Sequence, residues 1–174
     1  MILVDGNNFY NRLKELHFKG LLQLDYQEFG KWLAGGRKTI AARYYIGAVR
    51  AKEGDEKSQT LLRNQHRLFA QLQRTGWSIH LGYLLKTANV YHEKGVDVLM
   101  AVDLLVGAYE HDYDTAILVS SDTDLLPAMD KVRKLEKQIE YVGFGHCPSF
   151  AMQAHASVSR LIVKSDIVPF LRRQ

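Results

Sequence analysis

At 174 residues and 47% hydrophobic content, the chain is long enough to bury a core as one domain, 1–174, without covalent staples. Cys147 is the only cysteine, which excludes an internal disulfide framework, and no Cys/His spacing suggests zinc. A formal net charge of +4 and a pI near 9.1 favour a polyanionic partner mildly and exclude little by themselves.

In chain order, Met1-Ile2-Leu3-Val4-Asp5 is an apolar strand ending in a carboxylate, with Gly6 as a tight turn and Asn7 or Asn8 as the cap of a helix over roughly Phe9–Phe18. Leu24-Asp25-Tyr26-Gln27-Glu28 predicts a capped short helix reaching Leu33, broken by Gly35 and Gly36. Thr39–Val49 is β-rich and runs into a polar connection holding Arg50 and Lys52. From Glu56 to Arg74, Leu61, Leu62, Leu68, Phe69 and Leu72 recur with helical period. Trp77–Leu85 predicts a third strand and Lys86–Glu93 a loop. Val96–Tyr109 is apolar nearly all round, which predicts a buried helix interrupted only by Asp97 and Asp103.

Thr115–Ser121 predicts a buried strand, Asp124–Leu135 a helix and Ile139–Phe144 a further strand. Phe150–Val158 reads as a small helix, and Leu161–Leu171 as a short sixth strand with a last helical turn. Alternating strands and helices imply a three-layer α/β/α Rossmann-like sandwich with a mainly parallel sheet of five or six strands. No run reaches the roughly 18 apolar residues of a membrane span, and the opening strand carries no charged leader. A cytoplasmic protein without membrane contact is expected.

Two apolar strands end in acids, Asp5 in one and Ser121-Asp122-Thr123-Asp124 in the other. In open α/β sheets ligands sit at the carboxyl ends of strands where strand order reverses, so both ends point to one acidic site. Such carboxylates repel by roughly 4 kcal/mol per pair at 4 Å and an effective dielectric near 20, and so need a proton, a base or a cation. Oxygen-only ligands suit Mg²⁺ or Mn²⁺. Each acid also has a plainer reading: an Asx turn for Asp5, and helix capping for Asp97, Asp122 and Asp124. Asp103 lies about 120° around its helix from Asp97, which makes it either the partner of a buried base or a group orienting a ligand. The histidines show no ligand spacing, and Tyr44, Tyr45, Trp77 and Tyr83 read as core.

Taken in order, Val4-Asp5-Gly6-Asn7-Asn8, Lys94-Gly95-Val96-Asp97-Val98 with Asp103, and Leu118-Val119-Ser120-Ser121-Asp122-Thr123-Asp124-Leu125 with Pro127 resemble the NYN domains of the PIN-like superfamily, in particular the LabA-like group. The resemblance covers nearly the whole chain. It implies a PIN-like sandwich and a metal-dependent ribonuclease, with Asp5, Asp97, Asp122 and Asp124 as metal ligands and Asn8 and Asp103 as further catalytic-site positions. Ser121 stands where many members have Gly, and Leu125 where many have Phe.

The activity this implies is hydrolysis of RNA, single-stranded or structured, with Mg²⁺ or Mn²⁺ as cofactor and Lys94, Lys86, Arg50 and Lys52 as candidates for holding the phosphate backbone. A catalytically silent module of the same fold that binds RNA or protein is the alternative. A phosphotransfer domain is disfavoured, because position 7 is Asn7 where a second acid is commonly placed. The sequence leaves a homodimer open.

Overall fold

Burial of both faces is what the unbroken apolar run Ile2-Leu3-Val4 requires, and β1 (Ile2–Asp5) lies at the middle of the sheet. The computed structural model describes residues 1–18, 22, 24–51, 53–87 and 90–171, and only the backbone of 83–87 and 90–94. The elements following β1 are α1 (Gly6–Glu15), α2 (Tyr26–Ala34), β2 (Ala42–Gly47), α3 (Glu56–Arg74), β3 (Ser78–Thr87) and β4 (Val90–Lys94). Then come α4 (Val96–Tyr109), β5 (Thr115–Val119), α5 (Leu126–Lys134), β6 (Gln138–Phe144), α6 (Phe150–His155), β7 (Val158–Ile162) and α7 (Lys164–Ile167).

Among the described residues the sheet has seven strands in the order β4-β3-β2-β1-β5-β6-β7. Six are parallel, and β4 runs antiparallel beside β3 with Tyr83 opposite Lys94. The six parallel strands agree with the expected mainly parallel sheet, and β4 adds an antiparallel edge strand that was not expected. Lys86–Glu93 is polar and short of β-branched residues, so it reads as a loop, yet it supplies the end of β3 and most of an edge strand. From β1 the chain builds outward first through β2 and β3, then on the other side through β5, β6 and β7. The junction of β1 and β5 is therefore the topological switch point.

Strand alternation sorts the core into two layers. Ile2, Val4, Tyr44, Ile46, Ile117 and Val119 pack against Phe9 and Leu13 of α1, Phe29 and Leu33 of α2, and Leu68 and Leu72 of α3. Leu3, Tyr45, Ala116, Leu118, Ile139 and Tyr141 pack against Met100 and Leu104 of α4, Met129 and Val132 of α5, and Met152 of α6. The result is an α/β/α sandwich. Tyr44, Tyr45 and Trp77 are core as expected, while the side chain of Tyr83 lies outside the described residues.

Two local expectations change. The first helix starts at Gly6, directly on the strand, and its cap is Asp5 in place of Asn7 or Asn8. Gly6 is needed for close approach: a Cβ there would stand 2.8 Å from the Tyr45 carbonyl oxygen and collide with the Tyr44 ring. The other change is in α4, whose bounds match but which is not buried all round, because Val98, Val102, Val106 and Tyr109 face outward.

Because backbone and a fully buried ring both block the space at Gly6, Gly6→Ala should lower stability by about 2 kcal/mol. Urea denaturation of the two proteins checks this, and an unchanged midpoint would show that α1 can lift off β2 without loss.

Candidate active site at the switch point

The two acidic strand ends meet. Asp5 is 5% exposed, and its carboxylate is held from two directions. Oδ1 accepts the backbone N–H of Asn8 at 2.9 Å, and Oδ2 accepts the hydroxyl of Ser120 at 3.1 Å. The same Ser120 oxygen accepts the backbone N–H of Asp122 at 3.1 Å, so one buried hydroxyl ties the ends of β1 and β5 together. Asp122 Oδ1 then accepts the N–H of Asp124 at 2.9 Å and caps a 3-10 turn over Thr123–Leu125.

Asp97 enters from α4. The strand pairing of β3 with β4 brings the chain back to Gly95, whose left-handed backbone (φ 82°) starts α4 without a side-chain cap and leaves Asp97 in its first turn. An open cleft of about 360 Å³ lies between these elements, lined by Asp5, Asn8, Asn11, Gly95, Asp97 and Asp122 among others. Asp124 is exposed and does not line the cleft, but it stands near enough to Asp97 for its charge to act there.

The electrostatics are those of uncompensated like charge. Burial, with the Asp97 and Asp122 carboxylates opposite, raises the Asp5 carboxyl to about 6, against the lowering effect of its bonds from Asn8 and Ser120. Asp97 is also raised, by burial and then by Asp122 and Asp124. Among the described residues none of the four acids forms an ion pair with Lys or Arg. No three His, Cys, Asp or Glu side chains among the described residues already stand close enough to hold a metal ion together. The donor chemistry nevertheless fits one: a cleft of carboxylate and carboxamide oxygens with no Lys or Arg of the described residues paired to its acids suits a hard divalent cation.

The capping reading holds for Asp122, whose second oxygen is left for the cleft, and fails for Asp97, because α4 has no side-chain cap. Asp5, expected to form an Asx turn, caps α1 with one oxygen and takes the Ser120 hydroxyl on the other. Asp103 does not reach the site. Its Oδ2 accepts the Tyr45 hydroxyl at 2.7 Å and pairs with Arg43 Nη1 and His80 Nδ1, each at 3.1 Å. It is the partner of half-buried bases, and a role in orienting a ligand is corrected. Arg50 follows β2, the side chains of Lys86 and Lys94 lie outside the described residues, and so does Lys52 altogether. Beside the cleft the structure places instead Arg12 and Lys14 on α1, in a depression that shares Asn8 and Asn11 with it. Arg12 bonds Glu15 through Nη1, while its buried Nε lacks a partner. Ser120, Asn11 and Arg12 were missed in the sequence. Asn11 and Arg12 are one helical turn beyond Asn8, a spacing that could have drawn attention to them.

A family model described as NYN domain matches residues 1–164. The chain belongs to the NYN domain family. NYN domains are PIN-like, which agrees with the sandwich and with acids gathered at its switch point. A crystal structure of a protein of unknown function from Vibrio parahaemolyticus RIMD 2210633 superposes with a TM-score of 0.70 at 22% identity, over 98% of this chain and 93% of that one. It shares the fold. No curated protein matches the NYN chain described here. Among its described residues no helix is long and apolar enough to cross a membrane.

The raised Asp5 carboxyl has a stability consequence with a definite sign. Below about pH 4 the group is protonated folded or unfolded, whereas between its ordinary value of 3.8 and about 6 only the folded state keeps the proton. Stability is thus lost as pH rises through that window, by about 3 kcal/mol. Asp5→Asn should make the metal-free protein more stable at pH 7.5 by up to that amount and leave it nearly unchanged at pH 4. Urea denaturation in EDTA at both pH values measures the difference, and a variant less stable at pH 7.5 contradicts it.

Proposed function

We propose that the cleft is the active centre of a metal-dependent ribonuclease that hydrolyses RNA phosphodiester bonds. The observation that carries this reading is Asp5, a buried carboxylate at the end of the central strand that faces Asp97 and Asp122 with no Lys or Arg of the described residues paired to any of them. Asp5, Asp97 and Asp122, with Asp124 near Asp97, would hold Mg²⁺ or Mn²⁺. When bound, the ion supplies activation of the attacking water and neutralisation of charge on the scissile phosphate and the departing 3′ oxygen.

The chain's own residues prepare that step. Asn8 and Ser120 fix the plane of the Asp5 carboxylate, so little reorientation remains to be done during reaction. Asp122 keeps one oxygen for the cleft while the other caps the 3-10 turn. Asp124, exposed and close enough to Asp97 for their charges to interact, would accept a proton from the attacking water. Arg12 and Lys14 give the phosphates flanking the scissile bond a cationic wall along α1. Membership of the NYN family and the net charge of +4 support RNA as the polyanion. The carboxylates do not converge on one point in the metal-free protein, which favours as a second reading a silent module binding RNA or protein through the same cleft.

Incubation of RNA oligonucleotides with Mn²⁺, Mg²⁺ or EDTA separates the two. Cleavage that requires the metal is expected, and Asp122→Asn should reduce it by more than about 100-fold while unfolding normally, since Asn can keep the cap. Metal-independent or unaltered cleavage by that variant rules the assignment out, and metal-dependent RNA binding without cleavage favours the silent module. Arg12→Ala should raise KM about tenfold with little change in kcat, the loss of one charge-assisted phosphate bond.

A further inference from the structure

Asn8, Asn11, Arg12 and Glu15 stand at i, i+3, i+4 and i+7, which puts all four on one face of α1. The face begins at the acidic cleft, which Asn8 and Asn11 line, and continues into the depression of about 530 Å³ that Arg12 and Glu15 line with them. From Asn8 to Glu15 it runs about 10 Å along the helix. Arg12 donates from Nη1 to both oxygens of the Glu15 carboxylate, each at 2.9 Å. At the same carboxylate arrives a group from another element: His146, in the turn after β6, lies with Nε2 2.9 Å from Glu15 Oε2. These bonds from Arg12 and His146 lower the Glu15 carboxyl. An ionised carboxylate only accepts, so the proton of the second contact sits on His146 Nε2.

We propose that Arg12 and His146 form a phosphate subsite for an RNA strand that continues past the cleft along α1, and that Glu15 is its built-in competitor, seated on both donors until a phosphate displaces it. The donor set is one that a phosphate takes: a guanidinium and an imidazole N–H, carried by separate elements and converging on one anion. Their side chains are 23% and 29% exposed, open enough to meet a ligand and covered enough that solvent does not fully screen the contact. Glu15, by contrast, is a weak permanent occupant. It is the last residue of α1, where the helix macrodipole opposes a carboxylate. Its bond to Arg12 is an i,i+3 surface pair, a kind that adds little to stability, and its own side chain is 45% exposed. It also leaves the Arg12 fork incompletely used, since the buried Nε has no partner among the described residues. A phosphate in its place gains both donors without breaking anything the fold needs. The inference rests on the ribonuclease reading in one respect, that RNA is the ligand of the cleft.

Fluorescence anisotropy of a labelled single-stranded RNA of about 12 nucleotides, titrated with the full chain in EDTA so that metal-dependent cleavage does not intervene, tests it. Glu15→Gln should tighten binding about tenfold and steepen its salt dependence, because two phosphate donors are released. Placed in an Arg12→Ala or a His146→Ala background, the same change should gain only about twofold, the general effect of removing one negative charge. Glu28→Gln, which breaks an i,i+3 pair of the same kind on α2, measures that general effect. Circular dichroism melts of Glu15→Gln should match the parent. A second measurement uses the parent itself: the ¹⁵N resonance of His146 Nε2, assigned by its loss in His146→Ala, should shift when RNA is added. Binding that Glu15→Gln leaves unchanged or weakens, a full gain that survives without Arg12 and His146, or a His146 resonance indifferent to RNA would overturn the proposal. Metal-dependent cleavage seen alongside any of these results would leave the ribonuclease reading standing, whereas the expected binding changes without cleavage would sink that reading and keep the subsite.

Discussion

The structure depends on keeping an ionisable carboxylate at the end of its central strand. Asp5 could be a surface group only if β1 were an edge strand, and the topology puts β1 fourth of seven. It is satisfied instead by backbone and hydroxyl donors that belong to the fold itself: the first free N–H groups of α1 on one side and Ser120 on the other. Those donors, with the positive end of the α1 macrodipole, offset part of the desolvation of the charge. They do not offset all of it: burial remains the largest reason that the carboxyl stays raised, and the Asp97 and Asp122 carboxylates add to it. A fold arranged for stability alone would have set a Lys or Arg there, as it does for Glu140, which bonds both Arg37 at 2.6 Å and Arg160 at 2.8 Å.

That contrast separates two sorts of acid among the described residues. Glu140 is neutralised by Arg37 and Arg160 and Asp103 by Arg43, and so both are committed to holding the sandwich together. Among the described residues the acids at the switch point are tied by neutral donors, which set direction without cancelling charge. Gly6 belongs to the same arrangement. By letting α1 begin against the Tyr45 carbonyl, it brings the helix N-terminus close enough for Asn8 to reach Asp5 at all.

What could be read from the sequence follows from how local each cause is. An apolar run opening into Asp is a complete local signal for a buried strand delivering a carboxylate: β1 ends at Asp5 as expected, and β5 ends at Val119, two residues short of the expected Ser121. The bounds of α3 and α4 were legible because periodicity and the glycines at 76 and 95 lie within the segments themselves. The cap of α1 was misplaced because Asn7 and Asn8 are as capable of capping as Asp5. Only the absence of a turn between β1 and α1 decides among them. Asp103 could not be assigned, since Arg43 and His80 are distant in sequence and reach it through the parallel pairing of β2 with β3. Ser120 was inside the recognised motif, but its bridging role requires that β1 and β5 be neighbours.

α4 shows where hydrophobicity ceases to predict burial. Its composition says that every side prefers to leave water, and the sheet can cover only the sides that face Leu3, Tyr45 and α5. If the helix needed to serve the core alone, polar residues at 98, 102 and 106 would cost the core nothing, because those side chains do not enter it. The same helix starts at Gly95 and presents Asp97 to the cleft, so anything seated on its outer face also stands beside one wall of the acidic site. The helix thus joins core and cleft, and its own Met100 and Leu104, fully buried against Leu3 and Tyr45, leave it little freedom to bend.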